Sequence, residues 1–110
     1  MEKKNGRTEI AELGEFGLID RLMADVEPKN ETTLLGCGDD AAAVAAGERE
    51  AVVCTTDLLT EGVDFDLTYF PLRHLGYKAV TVGVSDILAM NARPEQLLLS
   101  IGVSAKISVE

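Results

Sequence analysis

Pro71-Leu72-Arg73-His74-Leu75-Gly76-Tyr77-Lys78-Ala79-Val80-Thr81-Val82-Gly83-Val84-Ser85-Asp86-Ile87-Leu88-Ala89-Met90 is the stretch on which the fold class turns. Read as a helix, Leu72, Leu75, Ala79, Val80, Val84, Ile87 and Leu88 make one broad apolar surface behind a proline suited to a helix start. The competing reading is a strand over 78–84, because Val80, Val82 and Val84 are β-branched at alternating positions. Length favours the helix, and Ile87, Leu88 and Met90 carry its pattern on. Gly83 inside it costs about 1 kcal/mol relative to alanine, which is too little to reverse the choice.

On the N-terminal side, residues 1–13 are charged and read as a flexible segment. From Glu15 the pattern is helical, with Leu18, Ile19, Leu22, Met23 and Val26 on one side and Asp20, Arg21 and Asp25 on the other, until Pro28 ends it. Residues 29–40 read as a polar, glycine-rich connection. The alanine-rich run 41–46 suits a helix by propensity. Its setting favours the first strand of a hairpin, because Gly47-Glu48-Arg49-Glu50 reads as a turn and Ala51-Val52-Val53-Cys54-Thr55-Thr56 as a strand. Residues 57–66 read as extended or irregular. Beyond Pro94, Gln96 to Val103 is nearly all apolar and reads as a strand buried on both faces. Helix, hairpin, helix, strand, without a βαβ repeat, predicts an α+β fold, with 14–110 as a single domain.

A chain of 110 residues can bury one modest core, and an apolar fraction of 46% excludes a disordered polymer. A net charge of −9 argues against nucleic acid or an anionic membrane as partner. No run approaches the length of a membrane span, and no apolar stretch follows Met1–Arg7 as a signal peptide would require, so a cytoplasmic location is expected. Cys37 and Cys54 form no Cys-x-x-Cys pair and have no histidine near them in sequence; they read as reduced thiols rather than zinc ligands.

The chemistry-bearing residues recur where apolar runs end: Gly38-Asp39-Asp40, Thr55-Thr56-Asp57 and Ser85-Asp86. Each alone is an ordinary turn, strand end or helix surface. Together they offer hydroxyl and carboxylate oxygens of the kind a hard cation such as Mg²⁺ prefers, which points to metal-assisted chemistry on a phosphate. Neither Gly-x-x-x-x-Gly-Lys-[Ser/Thr] nor Gly-x-Gly-x-x-Gly is present, so a nucleotide would bind without those loops. His74, the one histidine, and Lys78 read as solvated side chains, and no residue is assigned a catalytic role in covalent or acid–base chemistry.

In order and spacing, several segments resemble the N-terminal domain of the thiamine-monophosphate kinase family: Gly14-Glu15-Phe16-Gly17-Leu18-Ile19, Gly38-Asp39-Asp40-Ala41-Ala42, Thr55 through Phe65, Pro71 through Ala79, and Ser85 through Ala92 followed by Pro94. The resemblance covers residues 14 to 103. It implies the aminoimidazole ribonucleotide synthetase-like fold, a mixed sheet packed on helices that pairs with a second subunit to close a dimeric barrel. It also implies transfer of the ATP γ-phosphoryl group to thiamine monophosphate, giving thiamine diphosphate, with Mg²⁺ ions between nucleotide and protein. Carried over by position, Asp40, Thr55, Thr56, Asp57 and Asp86 would hold metal, and Asp64 would face the substrate.

Three departures stand out. Asp64 occupies a position where the family carries a histidine, and Gly83 one where it often carries asparagine. The family's later Gly-Gly-Asp segment and C-terminal domain have no counterpart here, so the chain is expected to be the Mg-ATP-binding N-terminal portion, inactive in isolation. The alternatives are another ATP-dependent synthetase of the same superfamily, or a non-catalytic dimerisation module.

Overall fold

The computed structural model describes Gly6 and residues 8–109, so part of the expected flexible segment, residues 1–5 and 7, lies outside the described residues. The elements run α1 (Ile10–Met23), β1 (Thr33–Leu35), β2 (Ala42–Ala45), β3 (Ala51–Cys54) and α2 (Leu72–Ala89). The α+β class holds. Two compact units divide the chain, Met1–Val52 and Val53–Glu110.

In the first unit, α1 starts at Ile10, five residues before the helical pattern was expected to begin. Gly14 explains the difference, because its φ of 68° and ψ of −177° interrupt the helix and split the apolar periodicity. That backbone region is open to glycine alone among the common residues. The helix ends at Met23, ahead of Pro28, with the Val26 N–H donating to the Met23 carbonyl at 2.9 Å. Within the supposed polar connection, Thr33–Leu35 forms β1, which pairs antiparallel with β2 through Thr33–Val44 and Leu35–Ala43 and a bulge between them. The expected hairpin is present: the Ala46 N–H donates to Glu50 O at 2.8 Å across the turn, and the sheet order is β1-β2-β3. Pairing of β1 with β2 is antiparallel, not mixed.

The second unit is built on α2. The Pro71 carbonyl accepts from the His74 and Leu75 N–H groups at 2.9 and 3.0 Å, so the proline opens the helix as its sequence position predicts. Its end was not foreseen. Asn91 adopts φ 55° and donates to Leu88 O at 2.9 Å, while the Ala92 N–H reaches Ile87 O at 3.1 Å. This is a Schellman stop with asparagine in the left-handed position, three residues before the proline expected to mark the boundary.

Gln96 to Val103 is not a strand. The chain there has no regular secondary structure, and Leu98 is 99% exposed. A strand needs a neighbour to accept and donate its ladder hydrogen bonds, and among the described residues none pairs with this run. Apolar sequence has outrun apolar burial elsewhere too, since Ala41 is the single buried hydrophobic residue among those described.

Candidate functional site

Past β3 the chain runs to Thr60 without regular secondary structure and carries Thr55, Asp57 and Thr56. Asp86 projects from the last turns of α2 to meet the first two. Thr55 Oγ1 donates to Asp86 Oδ2 at 3.2 Å. Partial burial, together with the charge and hydrogen-bonding reach of Asp86, pushes the Asp57 carboxyl above its ordinary pKa of 3.8. Thr56 is exposed. The Ser85 hydroxyl donates to the Val82 carbonyl at 2.7 Å within the helix.

Asp40 belongs to the first unit, in the bend between β1 and β2, where its N–H donates to Asp39 Oδ1 at 2.8 Å. Of the five residues expected to hold metal, Thr55, Asp57 and Asp86 meet within the second unit. Among the described residues, no set of three or more carboxylate, histidine or cysteine side chains is arranged to hold a metal ion. Two carboxylates and a hydroxyl are nonetheless a fitting donor set for Mg²⁺, which takes one or two protein carboxylates and fills its remaining positions with water and substrate phosphate.

The Asp64 carboxylate is hydrogen-bonded within its own loop. Its Oδ2 accepts from the Thr60 N–H at 2.7 Å, and its own N–H donates to the Thr60 carbonyl at 2.9 Å. The loop closes with the Gly62 N–H on Phe65 O at 2.7 Å, and Gly62 takes φ 81°. Lys78, expected to be solvated, is half-buried; its ammonium donates to the Asp64 carbonyl and lies 5.8 Å from the centre of the Phe70 ring. The same ring meets His74 edge-on, with ring centres 6.2 Å apart. Below it, the Thr68 N–H donates to Asp66 Oδ1 at 2.8 Å and holds that carboxyl below its ordinary range. Sequence reasoning missed the Lys78 contact, and the spacing of Phe70, His74 and Lys78 at four-residue intervals was the available signal. Cys37 and Cys54 are exposed free thiols.

Residues 38–110 match the family described as AIR synthase related protein, N-terminal domain. The chain belongs to this family. Among curated proteins it is similar to a thiamine-monophosphate kinase of Mycobacterium tuberculosis, 39% identical over 97 residues, which is 88% of this chain and 28% of that protein. A thiamine-monophosphate kinase of Aquifex aeolicus is 38% identical over 100 residues, covering 91% of this chain and 30% of the relative. One from Escherichia coli is 38% identical over 88 residues, covering 80% and 27%. The chain thus spans less than a third of the length of these relatives. No solved structure matches it. The matched stretch takes in Asp40, the Thr55–Asp57 segment, the Asp64 loop and the whole of α2. Among the described residues no helix is long and apolar enough to cross a membrane.

Proposed function

We propose that this chain is the Mg-ATP-binding portion of a kinase that phosphorylates thiamine monophosphate to thiamine diphosphate. The observation that carries the reading is the meeting of Thr55, Asp57 and Asp86, in a chain whose curated relatives are thiamine-monophosphate kinases. Phosphoryl transfer asks little covalent chemistry of a protein and a great deal of positioning and charge neutralisation. A phosphate oxygen of thiamine monophosphate attacks the γ-phosphorus, the bond to the β–γ bridging oxygen breaks, and ADP leaves with that electron pair. Mg²⁺, when bound, supplies the positive charge that the phosphates and carboxylates lack.

Asp57 and Asp86 serve as the metal-facing carboxylates, and the Thr55 hydroxyl fixes the rotamer of Asp86 while offering a third oxygen. Thr56 belongs to the same proposed ligand set, and Asp40, in the loop before β2, is a proposed Mg²⁺ ligand of the first unit. Asp64 occupies the substrate-facing position, with its carboxylate committed to Thr60. A homodimer is part of the reading, supported by the exposed apolar run Leu97, Leu98, Leu99, Ile101 and Val103, which a second sheet would cover. A cytoplasmic location is the setting in which ATP is available.

The test is a steady-state assay on the full-length protein with ATP, MgCl₂ and thiamine monophosphate, comparing the unaltered protein with Asp86→Asn. The expected result is thiamine diphosphate formation that depends on Mg²⁺ and falls by at least a hundredfold in the variant. Turnover that persists in Asp86→Asn, or with Mg²⁺ chelated, would contradict the role given to the pair.

A further inference from the structure

Two contacts tether the segment from Thr55 to Asp64 to one helix. At its start, Thr55 and Asp57 meet Asp86 of α2; at its end, the Asp64 carbonyl accepts from Lys78 of α2. We propose that Lys78 is a positioning residue: by tying the 60–65 loop to α2 it sets the spacing between the substrate-facing position Asp64 and the metal-facing pair Asp57–Asp86. This rests on the proposed function for what the two positions bind, and on the hydrogen bonds alone for the tether.

The dimensions explain why a tether matters. Asp64 lies nine positions after Thr55, and a free chain of that length can extend to about 30 Å. Asp86 lies eight positions after Lys78, which on an α-helix is a fixed rise of about 12 Å. Anchoring both ends on α2 replaces a wide range of separations with one that the helix dictates. Transfer between two phosphates is sensitive to such spacing, because misplacing reacting groups by about 1 Å can cost a hundredfold in rate.

Chemistry suits Lys78 to this part. Its contact is with a main-chain carbonyl, so the tether does not depend on which side chain stands at position 64. The Phe70 ring beneath the ammonium compensates part of its lost hydration. Within the loop, Asp64 Oδ2 on the Thr60 N–H and the Gly62 N–H on Phe65 O make the segment a closed unit that moves as one piece when its anchor is released.

The experiment uses the full-length protein with Lys78→Met, Lys78→Gln and Lys78→Arg, reading KM for thiamine monophosphate, KM for Mg-ATP, and amide hydrogen exchange at Thr60, Gly62 and Asp64. In the Met variant, the KM for thiamine monophosphate should rise about tenfold while that for Mg-ATP stays within twofold. The three loop amides should exchange about tenfold faster, with those of α2 unchanged. Arg, which can donate to the same carbonyl, should recover most of both effects, and Gln, a shorter donor, should fall between. Equal losses for both substrates, or loop exchange unchanged in Met and Gln, would overturn the inference. Should the unaltered protein not phosphorylate thiamine monophosphate, the proposed function fails by itself, and the exchange rates still decide whether Lys78 anchors the loop.

Discussion

Replacing Asp57 by asparagine should stabilise the metal-free protein while removing its response to Mg²⁺. The Asp57 carboxyl is raised above 3.8 by partial burial and by Asp86, so at neutral pH the folded state holds two like charges side by side. At about 4 Å two unit charges repel by about 1 kcal/mol in water and about 4 kcal/mol at an effective dielectric of 20. Asp57 is exposed and Asp86 half-buried, so the lower figure applies and Asp57→Asn should gain about 1 kcal/mol at pH 7. The sign of the pH dependence follows. A folded pKa above the unfolded one gives stability that is fully present below 3.8 and is lost as pH rises through the folded value. Stability of the unaltered protein relative to the variant should therefore fall with rising pH across that window. Mg²⁺ at ten times its dissociation constant should restore about 1.4 kcal/mol to the unaltered protein and almost nothing to the variant. Urea denaturation of both full-length proteins, from pH 3 to 8 with and without MgCl₂, reads all three effects. A variant less stable than the unaltered protein at pH 7 without Mg²⁺, or one that keeps the full Mg²⁺ response, would refute the reasoning.

Gly62→Ala should destabilise by about 1–2 kcal/mol in denaturant titration, because φ 81° forces a left-handed residue although open space surrounds it. Gly83→Ala should do the opposite and stabilise by up to about 1 kcal/mol, since Gly83 is interior to α2 and a methyl group there meets nothing within 4 Å. At the helix end, Asn91→Val should cost about 1–2 kcal/mol by the same measurement and Asn91→Gly little or nothing, because the Schellman stop needs a positive φ.

What the sequence made legible was what local physics decides. Helix α2 could be read because Pro71 opens it and its apolar spacing outlasts a strand, and the β2–β3 hairpin because Gly47-Glu48-Arg49-Glu50 is a turn in any context. Strand β1 escaped notice because three residues carry no periodicity, and α1 was read as starting late because Gly14 breaks its pattern. Gln96 to Val103 was misread for a different reason: composition shows that a segment could be a strand, whereas its pairing partner decides whether it is. The site divides along the same line. Asp57 and Asp86 were visible as acids at element ends, with Thr55 beside them. The Lys78 tether was not, because it depends on how residues 60–70 fold back on α2.

The most direct test of the central claim, that Asp57 and Asp86 seat the metal ion, is anomalous diffraction from crystals of the full-length protein grown with Mn²⁺ and a non-hydrolysable ATP analogue. The account predicts an anomalous peak with carboxylate oxygens of both Asp57 and Asp86 in its coordination shell, at roughly 2.0–2.3 Å, and with analogue phosphate oxygens completing it. A nucleotide-bound metal with neither carboxylate in its shell would contradict it.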